Sequence, residues 1–262
     1  MKIAILYICT GRYNQFFKGF YDSCEKYFLA GRAEKHYFVW TDDLNLSSAG
    51  NVHFTYHKCR GFPDDSLFRF DMFLEREEEL RSFDYLFFFN ANTLFVSDVQ
   101  DEILPGLADG GLVGIIGVGG VRYQWIPSLY PYERNKKSTA YISPFGKRYR
   151  YYSGAINGGI TCCYLKMIKE LSYNTRTDYA NGIVAIYHDE SHLNKYLRTH
   201  KCKELGMDYT YPETKQLPGH VKIMLIDKTK YDTYFTKGRD RSLLGKINKV
   251  MRRIGRGIQW YF

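Results

Sequence analysis

The chain has 262 residues, 45% hydrophobic and 25% charged, with 24 Tyr, 18 Phe and a formal net charge of +9. That length suits one large α/β domain with a substantial core, and the charge calls for an anionic partner such as nucleic acid, acidic lipid or a diphosphate. No nucleic-acid-binding signature accompanies the charge, and no window approaches the roughly 20 apolar residues of a membrane span.

Residues 3–8 (IAILYI) form a continuous apolar run, as in a strand covered on both faces. The run is short for a signal peptide and lacks a small-residue cleavage site, so it reads as a first strand. Thr10-Gly11-Arg12 then turns the chain into an aromatic helix over about 14–29. A second strand at 36–40 ends on Thr41-Asp42-Asp43. Asp64-Asp65-Ser66 caps a helix over about 66–80. Tyr85–Phe89 (YLFFF) is another buried strand and runs into Asn90-Ala91-Asn92. Strands alternating with helices predict an α/β layered domain with ligands at the carboxyl ends of the strands. Thr10-Gly11-Arg12 and Asn90-Ala91-Asn92 then share one rim.

Residues 112–120 (LVGIIGVGG) read as a strand and a Gly-rich turn, without the spacing of a dinucleotide-binding loop. A tyrosine-rich loop follows over 125–152, broken by Pro127, Pro131 and Pro144. Residues 154–159 (GAINGG) suggest a second Gly-rich turn, and helices are expected from near Tyr164 and over about 189–199. The six cysteines, at 9, 24, 59, 162, 163 and 202, form neither a CxxC pair nor a disulfide framework, which fits a reducing, cytoplasmic setting.

The chain divides into a domain over 1–240 and a distinct segment over 241–262. In the latter, Leu243, Ile247, Val250, Met251, Ile254 and Ile258 recur at helical spacing opposite Lys246, Lys249, Arg252, Arg253 and Arg256, before Trp260-Tyr261-Phe262. This is a basic amphipathic helix with an aromatic end. Lying on an anionic leaflet, it would hold Trp260 and Tyr261 at headgroup depth; packing of the apolar stripe on the domain is the alternative.

Four constellations carry chemistry. In YLFFFNAN, two amides two residues apart leave a strand end on one face. A neutral amide is a poor ligand for a hard cation beside a pyrophosphate, yet it hydrogen-bonds hydroxyls well. In Tyr187-His188-Asp189-Glu190-Ser191-His192, two histidines four apart could bind zinc, but the zinc-peptidase pattern needs Glu directly after the first His. Asp189 and Glu190 also suit the positive end of a helix. The others are Tyr132-Glu133-Arg134 with Ser138-Thr139-Ala140-Tyr141-Ile142, and RYRYYSGAINGG; either alone reads as a surface loop.

In this order YICTGRY, PDDSLFRF, FFFNAN, YERNKKSTAY, YYSGAINGG and NGIVAIYHDESHLNKY resemble the family 6 glycosyltransferases, which include the histo-blood-group A and B transferases and α1,3-galactosyltransferase. The resemblance runs from residue 7 to about 227. It implies a GT-A type nucleotide-sugar-binding fold, a single α/β domain with a mixed central sheet. It also implies a retaining hexosyltransferase that moves galactose from UDP-galactose in α1,3 linkage to a fucosylated terminal galactoside, with UDP-N-acetylgalactosamine as the alternative donor. Asn90 and Asn92 stand where Asp-x-Asp carboxylates grip a divalent metal in many such enzymes. That variant, without a membrane anchor, resembles the bacterial branch that works with no metal and no cofactor. Gly117-Val118-Gly119-Gly120 departs from the family, where a His or Gln and aromatics often contact the acceptor.

The same resemblance implies roles residue by residue. Ile8, Cys9, Thr10 and Tyr13 would lie against uracil and ribose, with Arg12 close by. Asp64 and Arg69 would face the donor sugar and diphosphate. Ser153, Gly154 and Ala155 would line the pocket for the sugar's C2 substituent, with Ala155 where Gly would admit an acetamido group. His188 and Asp189 would hold hydroxyls, and Glu190 would be the catalytic carboxylate, as nucleophile or as ion-pair stabiliser. Thr139, Tyr187 and Tyr211 would meet the acceptor, a galactoside-terminated glycan on a lipid carrier. Without a metal, Arg69, Lys222 and Lys228 are the candidates to neutralise the leaving diphosphate. Two other classes stay open: a sugar-binding protein without catalysis, which needs no carboxylate beneath the anomeric carbon, and a zinc hydrolase.

Overall fold

The apolar runs of the sequence lie in the middle of the fold. In the computed structural model, which describes residues 1–61, 63–146, 149–214, 216–236 and 242–261, β1 (Lys2–Ile8) pairs in parallel with β2 (Glu34–Thr41), and β2 with β3 (Val52–Tyr56). On its other side β1 pairs in parallel with β4 (Tyr85–Phe89). Beyond a short β5 (Thr93–Phe95) come β6 (Leu112–Ile115), β7 (Ile156–Ile160) and β8 (Lys203–Leu205). The seven-stranded sheet has the order β3-β2-β1-β4-β7-β6-β8, with β7 antiparallel to both neighbours. It is a mixed α/β sheet, as expected of a GT-A type domain. A second, three-stranded sheet joins β5 to β9 (Tyr211–Pro212) and β10 (Ile223–Leu225) in the order β5-β10-β9.

Period-two alternation splits the core into two layers. Ile3, Ile5 and Tyr7 of β1 face Phe17, Phe20 and Phe28 in and after α1 (Phe17–Tyr27). Ala4 and Leu6 face the opposite layer, where α2 (Asp64–Leu67) leads into α3 (Arg69–Leu74) and residues of α3 and of α4 (Glu77–Leu80) pack alongside. Past α5 (Val118–Arg122), that layer is completed by α6 (Thr161–Ala180) and α7 (His188–Leu197). The last helix is α8 (Leu243–Tyr261). Among the described residues no helix is long and apolar enough to cross a membrane, and all six cysteines are free thiols.

Several elements differ from the sequence reading. The aromatic helix begins as a 3₁₀ turn at Gly11–Phe16 and ends at Tyr27, before Leu29 takes a φ of 47°. The helix expected over 66–80 is three short pieces, because Phe68 and Arg76 leave helical geometry. GAINGG leads into a central strand rather than a turn. Its glycines are required by closeness: a Cβ on Gly158 would stand 2.3 Å from Phe87 Cδ1, and one on Gly159 would stand 2.2 Å from the Gly111 carbonyl oxygen. The Gly-rich stretch after β6 opens α5, where Tyr130 OH donates to the Gly120 carbonyl.

The C-terminal helix neither floats free nor buries its stripe. Trp260 is buried among Tyr130, Tyr132, Ile142 and Tyr151, and its indole N–H donates to the Ile142 carbonyl at 2.6 Å. This corrects the expectation of Trp260 at headgroup depth: an indole with a satisfied N–H inside an aromatic cluster is a packing anchor. Leu244, Ile247, Val250, Met251, Ile254 and Ile258 point into solvent, against the alternative that they pack on the domain.

Candidate active site

Because β1 and β4 are parallel neighbours, the segments after Ile8 and Phe89 leave the sheet side by side. Tyr7 ties them together beneath the rim, its buried hydroxyl donating to the Ala91 carbonyl at 2.7 Å. A cleft with a cavity volume of about 270 Å³ opens there; Ile8, Thr10, Arg12 and Tyr13 line one side, Asn90, Ala91 and Asn92 the floor, and Asp65, Ser66 and Arg69 the other side.

Fixed hydrogen bonds hold the turn after β1 against the ends of β2 and α2. Gly11, at φ 55°, donates its N–H to both carboxylate oxygens of Asp42 at 2.8 and 3.0 Å. Burial pushes the Asp42 carboxyl up, but Gly11 and the Asn14 amide outweigh it and hold it below its usual value. Thr10 Oγ1 donates to Asp65 at 2.9 Å, and the same carboxylate meets His57 Nε2 at 3.3 Å. Asp65 thus faces the cleft where Asp64 was expected; Asp64 is not among the lining residues.

The opposite lip comes from the chain after β10. Lys228 Nζ donates to Tyr13 OH at 2.9 Å and lies 4.7 Å over its ring, while Phe235 meets that ring edge-on at 4.9 Å. Arg12 pairs with Asp232 at 3.5 Å. Lys222 points elsewhere, to Glu102 at 3.2 Å and the Asp98 carbonyl, which removes it from the diphosphate candidates.

The Asn pair is positioned by backbone. Asn90 N–H donates to the Ala155 carbonyl at 2.8 Å, and Asn92 Nδ2 donates to the Ile226 carbonyl at 2.8 Å. Neither amide brings a negative charge to the floor of the cleft. Among the described residues no group of three His, Cys, Asp or Glu side chains could hold a metal ion.

Behind Arg69, and outside the residues that line the cleft, stands a second wall, the start of α7. His188 sits at φ 49°, a left-handed conformation uncommon outside glycine, and turns the helix into the molecule. Asp189 is buried against Arg69, with Arg69 Nε 3.2 Å from Oδ2. Glu190 accepts from Tyr151 OH through Oε1 and from Gly154 N–H at 2.6 Å through Oε2. Asn194 clips α7 to the same segment, accepting from Tyr152 N–H and donating to the Tyr152 carbonyl, both at 2.8 Å. Gly154 fits so closely that a Cβ there would stand 3.0 Å from Glu190.

Arg69 joins the two walls. It lines the cleft, donates to the Gly154 carbonyl at 3.0 Å and lies 4.4 Å over Phe88. Burial pushes Asp189 up to about 7, opposed by Arg69 and reinforced by Glu190. Burial also raises Glu190, against Tyr151, Gly154 and Arg69. His188 is lowered by burial and by Arg69. The arrangement offers cations and amides to an anionic ligand, backed by a poised carboxylate.

The other expected residues divide. Cys9 is fully buried in the core, and burial holds its thiol protonated. Ala155 is buried beside Ile156, and Ser153 Oγ accepts from the Ala155 N–H at 3.3 Å. Thr139 is taken up structurally: its N–H donates to Asp178 at 2.8 Å and its hydroxyl to the Asn174 carbonyl at 3.2 Å, beside His192. Tyr187 is exposed at the start of α7, whereas Tyr211 lies in β9 opposite Met224. Sequence reasoning passed over Asp42, Asp65, Tyr151 and Asn194. Tyr151, Asp65 and Asn194 lie inside the runs YYSGAINGG, PDDSLFRF and NGIVAIYHDESHLNKY, whereas Asp42 shows its role only through contacts distant in sequence.

Comparison with known proteins agrees with this geometry. A model of glycosyltransferase family 6 matches residues 1–235. The chain is 34% identical over 235 residues to the O-antigen biosynthesis glycosyltransferase WbnI of Escherichia coli, covering 89% of this chain and 98% of that one. It is 30% identical over 242 residues to globoside alpha-1,3-N-acetylgalactosaminyltransferase 1 of Gallus gallus, covering 87% and 68%. It is 32% identical over 232 residues to histo-blood group ABO system transferase 2 of Rattus norvegicus, covering 85% and 66%. With the strand-end cleft, the Asn pair and the Tyr-His-Asp-Glu helix start all inside the matched region, the chain belongs to glycosyltransferase family 6.

Proposed function

We propose that the protein is a retaining, metal-independent α1,3-hexosyltransferase that moves galactose from UDP-galactose to a fucosylated terminal galactoside. The observation that carries this reading is Glu190, a carboxylate held by Tyr151 and Gly154 one residue from the Arg69–Asp189 pair. A sugar-binding protein has no need to bury and orient an acid in this way. In the proposed reaction UDP lies along Ile8, Thr10 and Tyr13, with Arg69, Arg12 and Lys228 meeting the diphosphate. As the bond from the anomeric carbon to the diphosphate breaks, positive charge grows on that carbon, and Glu190 meets it on the opposite face as nucleophile or as counter-ion. The acceptor hydroxyl then attacks from the side UDP has left, giving its proton to the departing diphosphate and, on the covalent route, displacing the Glu190 carboxylate, which retains the configuration.

The donor assignment rests on Ala155 being Ala and not Gly, and UDP-N-acetylgalactosamine is the second reading within the same chemistry. The acceptor is read as a lipid-linked glycan at the cytoplasmic membrane face, because a basic amphipathic helix follows the matched region. The test is UDP release from both donors, with and without a soluble fucosylated galactoside. Acceptor-dependent UDP release with an α1,3-linked product supports the reading. Sugar binding with no turnover on any acceptor refutes it.

A further inference from the structure

Helix α8 lies beyond the residues that match the family, and among the described residues its outward face has no partner on the domain. Leu244, Met251 and Ile258 are 71%, 61% and 58% exposed, and Ile247, Val250 and Ile254 lie on the same side. Rotation cannot hide this stripe, because the helix is pinned from behind. Trp260 is buried with its N–H on the Ile142 carbonyl, Arg134 covers the indole at 5.6 Å, and Gly257 sits where a Cβ would stand 3.4 Å from the Ser128 carbonyl oxygen.

The apolar surface extends past the helix. Trp125 is 87% exposed, and with Ile126 it directly precedes the Pro127–Leu129 turn on which α8 packs. Phe145, 80% exposed, lies 6.5 Å from the Tyr261 ring. The 19 residues of α8 carry five Lys or Arg and no Asp or Glu, and Arg252 and Arg256 are exposed. The stripe, from Leu244 to Ile258, is a convex ridge about 21 Å long, at 1.5 Å per residue, whereas a peptide ligand needs a groove. A convex apolar ridge on a cationic helix suits a bilayer.

We propose that α8, with Trp125 and Phe145 flanking it, docks the enzyme on an anionic lipid bilayer and fixes the angle at which the cleft faces the membrane. This deepens the reading of a lipid-linked acceptor and rests on it for its purpose. The angle is set by an aromatic chain: Trp260 against Tyr132 at 5.7 Å, Tyr132 against Tyr151 at 5.7 Å, and Tyr151 on Glu190.

The test is sedimentation of the full chain with vesicles of phosphatidylcholine, with and without phosphatidylglycerol, alongside light scattering without lipid. The wild type should bind the anionic vesicles, release them at high salt and leave phosphatidylcholine vesicles largely unbound. Val250→Glu with Ile254→Glu should lower the partition coefficient at least about tenfold, and Arg252→Gln about fivefold, the scale of one basic residue at such a surface. Both variants should keep UDP binding and turnover on a soluble acceptor. Failure of the wild type to bind anionic vesicles overturns the proposal, as does undiminished binding by the Val250/Ile254 variant. A wild-type dimer that this variant converts to monomer also overturns it, since the occupant is then a second copy. Vesicle binding with no transferase activity sinks the proposed reaction and leaves the docking standing.

Discussion

The lining of the cleft, an open wall, and the buried α7 cluster behind Arg69, a closed one, hold their polar groups in opposite ways. On the strand-end wall Thr10, Tyr13, Asn90, Asn92 and Lys228 open onto the cavity, and Arg12 is largely exposed. On the α7 wall Asp189 is buried, and both Glu190 oxygens are engaged. The first wall suits a ligand that must arrive and leave, since its groups stay hydrated and screened. The second suits charge that develops during reaction, because a carboxylate in a low-dielectric, pre-oriented setting acts more strongly than one in water. On the proposed reading, binding belongs to the open wall and chemistry to the closed one, with Arg69 in both.

The sharpest way to break that division is Glu190→Gln. The amide keeps the shape of the side chain and loses the charge. UDP affinity by calorimetry should stay nearly constant while turnover falls at least about a hundredfold. A parallel loss of UDP affinity would mean that the walls are not separable.

A smaller effect is expected where the donor's C2 substituent meets the closed wall. Ala155→Gly removes one methyl group beside Gly154 and should move the ratio of kcat/KM values towards UDP-N-acetylgalactosamine by about tenfold, the low end of what such a group contributes. Because Ala155 is buried, an unchanged ratio would show that its methyl faces the core rather than the sugar.

Tyr151→Phe removes one of the two hydrogen bonds to Glu190 and should cost several-fold in turnover, about 1 kcal/mol. The pH profile gives the sign. Burial raises Glu190 and the Tyr151 hydroxyl pulls it back down, so losing the hydroxyl should move the acid limb of kcat to higher pH. Asp189 is pushed up to about 7, so the wild-type limb should already lie above the ordinary carboxylate range, as a property of the pair. A limb that moves to lower pH would contradict the proposed hydrogen-bond role.

Much of the open wall was legible in the sequence because it is local: apolar runs gave β1 and β4, and the residues that follow a strand lie at its end. The closed wall was legible only through the family resemblance. Nothing in the spacing of Tyr151, Gly154 and Glu190 shows that a hydroxyl and a backbone N–H converge on one carboxylate. Close approach was the main source of error. Gly158 and Gly159 read as a turn because the pattern cannot show Phe87 and Gly111 lying where side chains would go. Trp260 read as an interfacial residue because the amphipathic pattern cannot show Tyr132 beneath it.

The smallest expected effect is none: turnover with excess EDTA should equal turnover with added manganese. On the open wall, a metal-dependent enzyme would need carboxylates at 90 and 92 to neutralise the diphosphate. Here Asn90 and Asn92 are neutral, and Asn92 spends its N–H on Ile226. The nearest acid lining the cleft, Asp65, is engaged by Thr10 and the Gly61 N–H and faces His57. On the proposed reading, charge neutralisation falls to Arg69, Arg12 and Lys228. Their contribution should be visible as salt sensitivity of KM for the donor in EDTA, with little change in kcat. Activity that disappears in chelator and returns with manganese would mean that the Asn pair recruits a cation after all, and would move part of the chemistry onto the open wall.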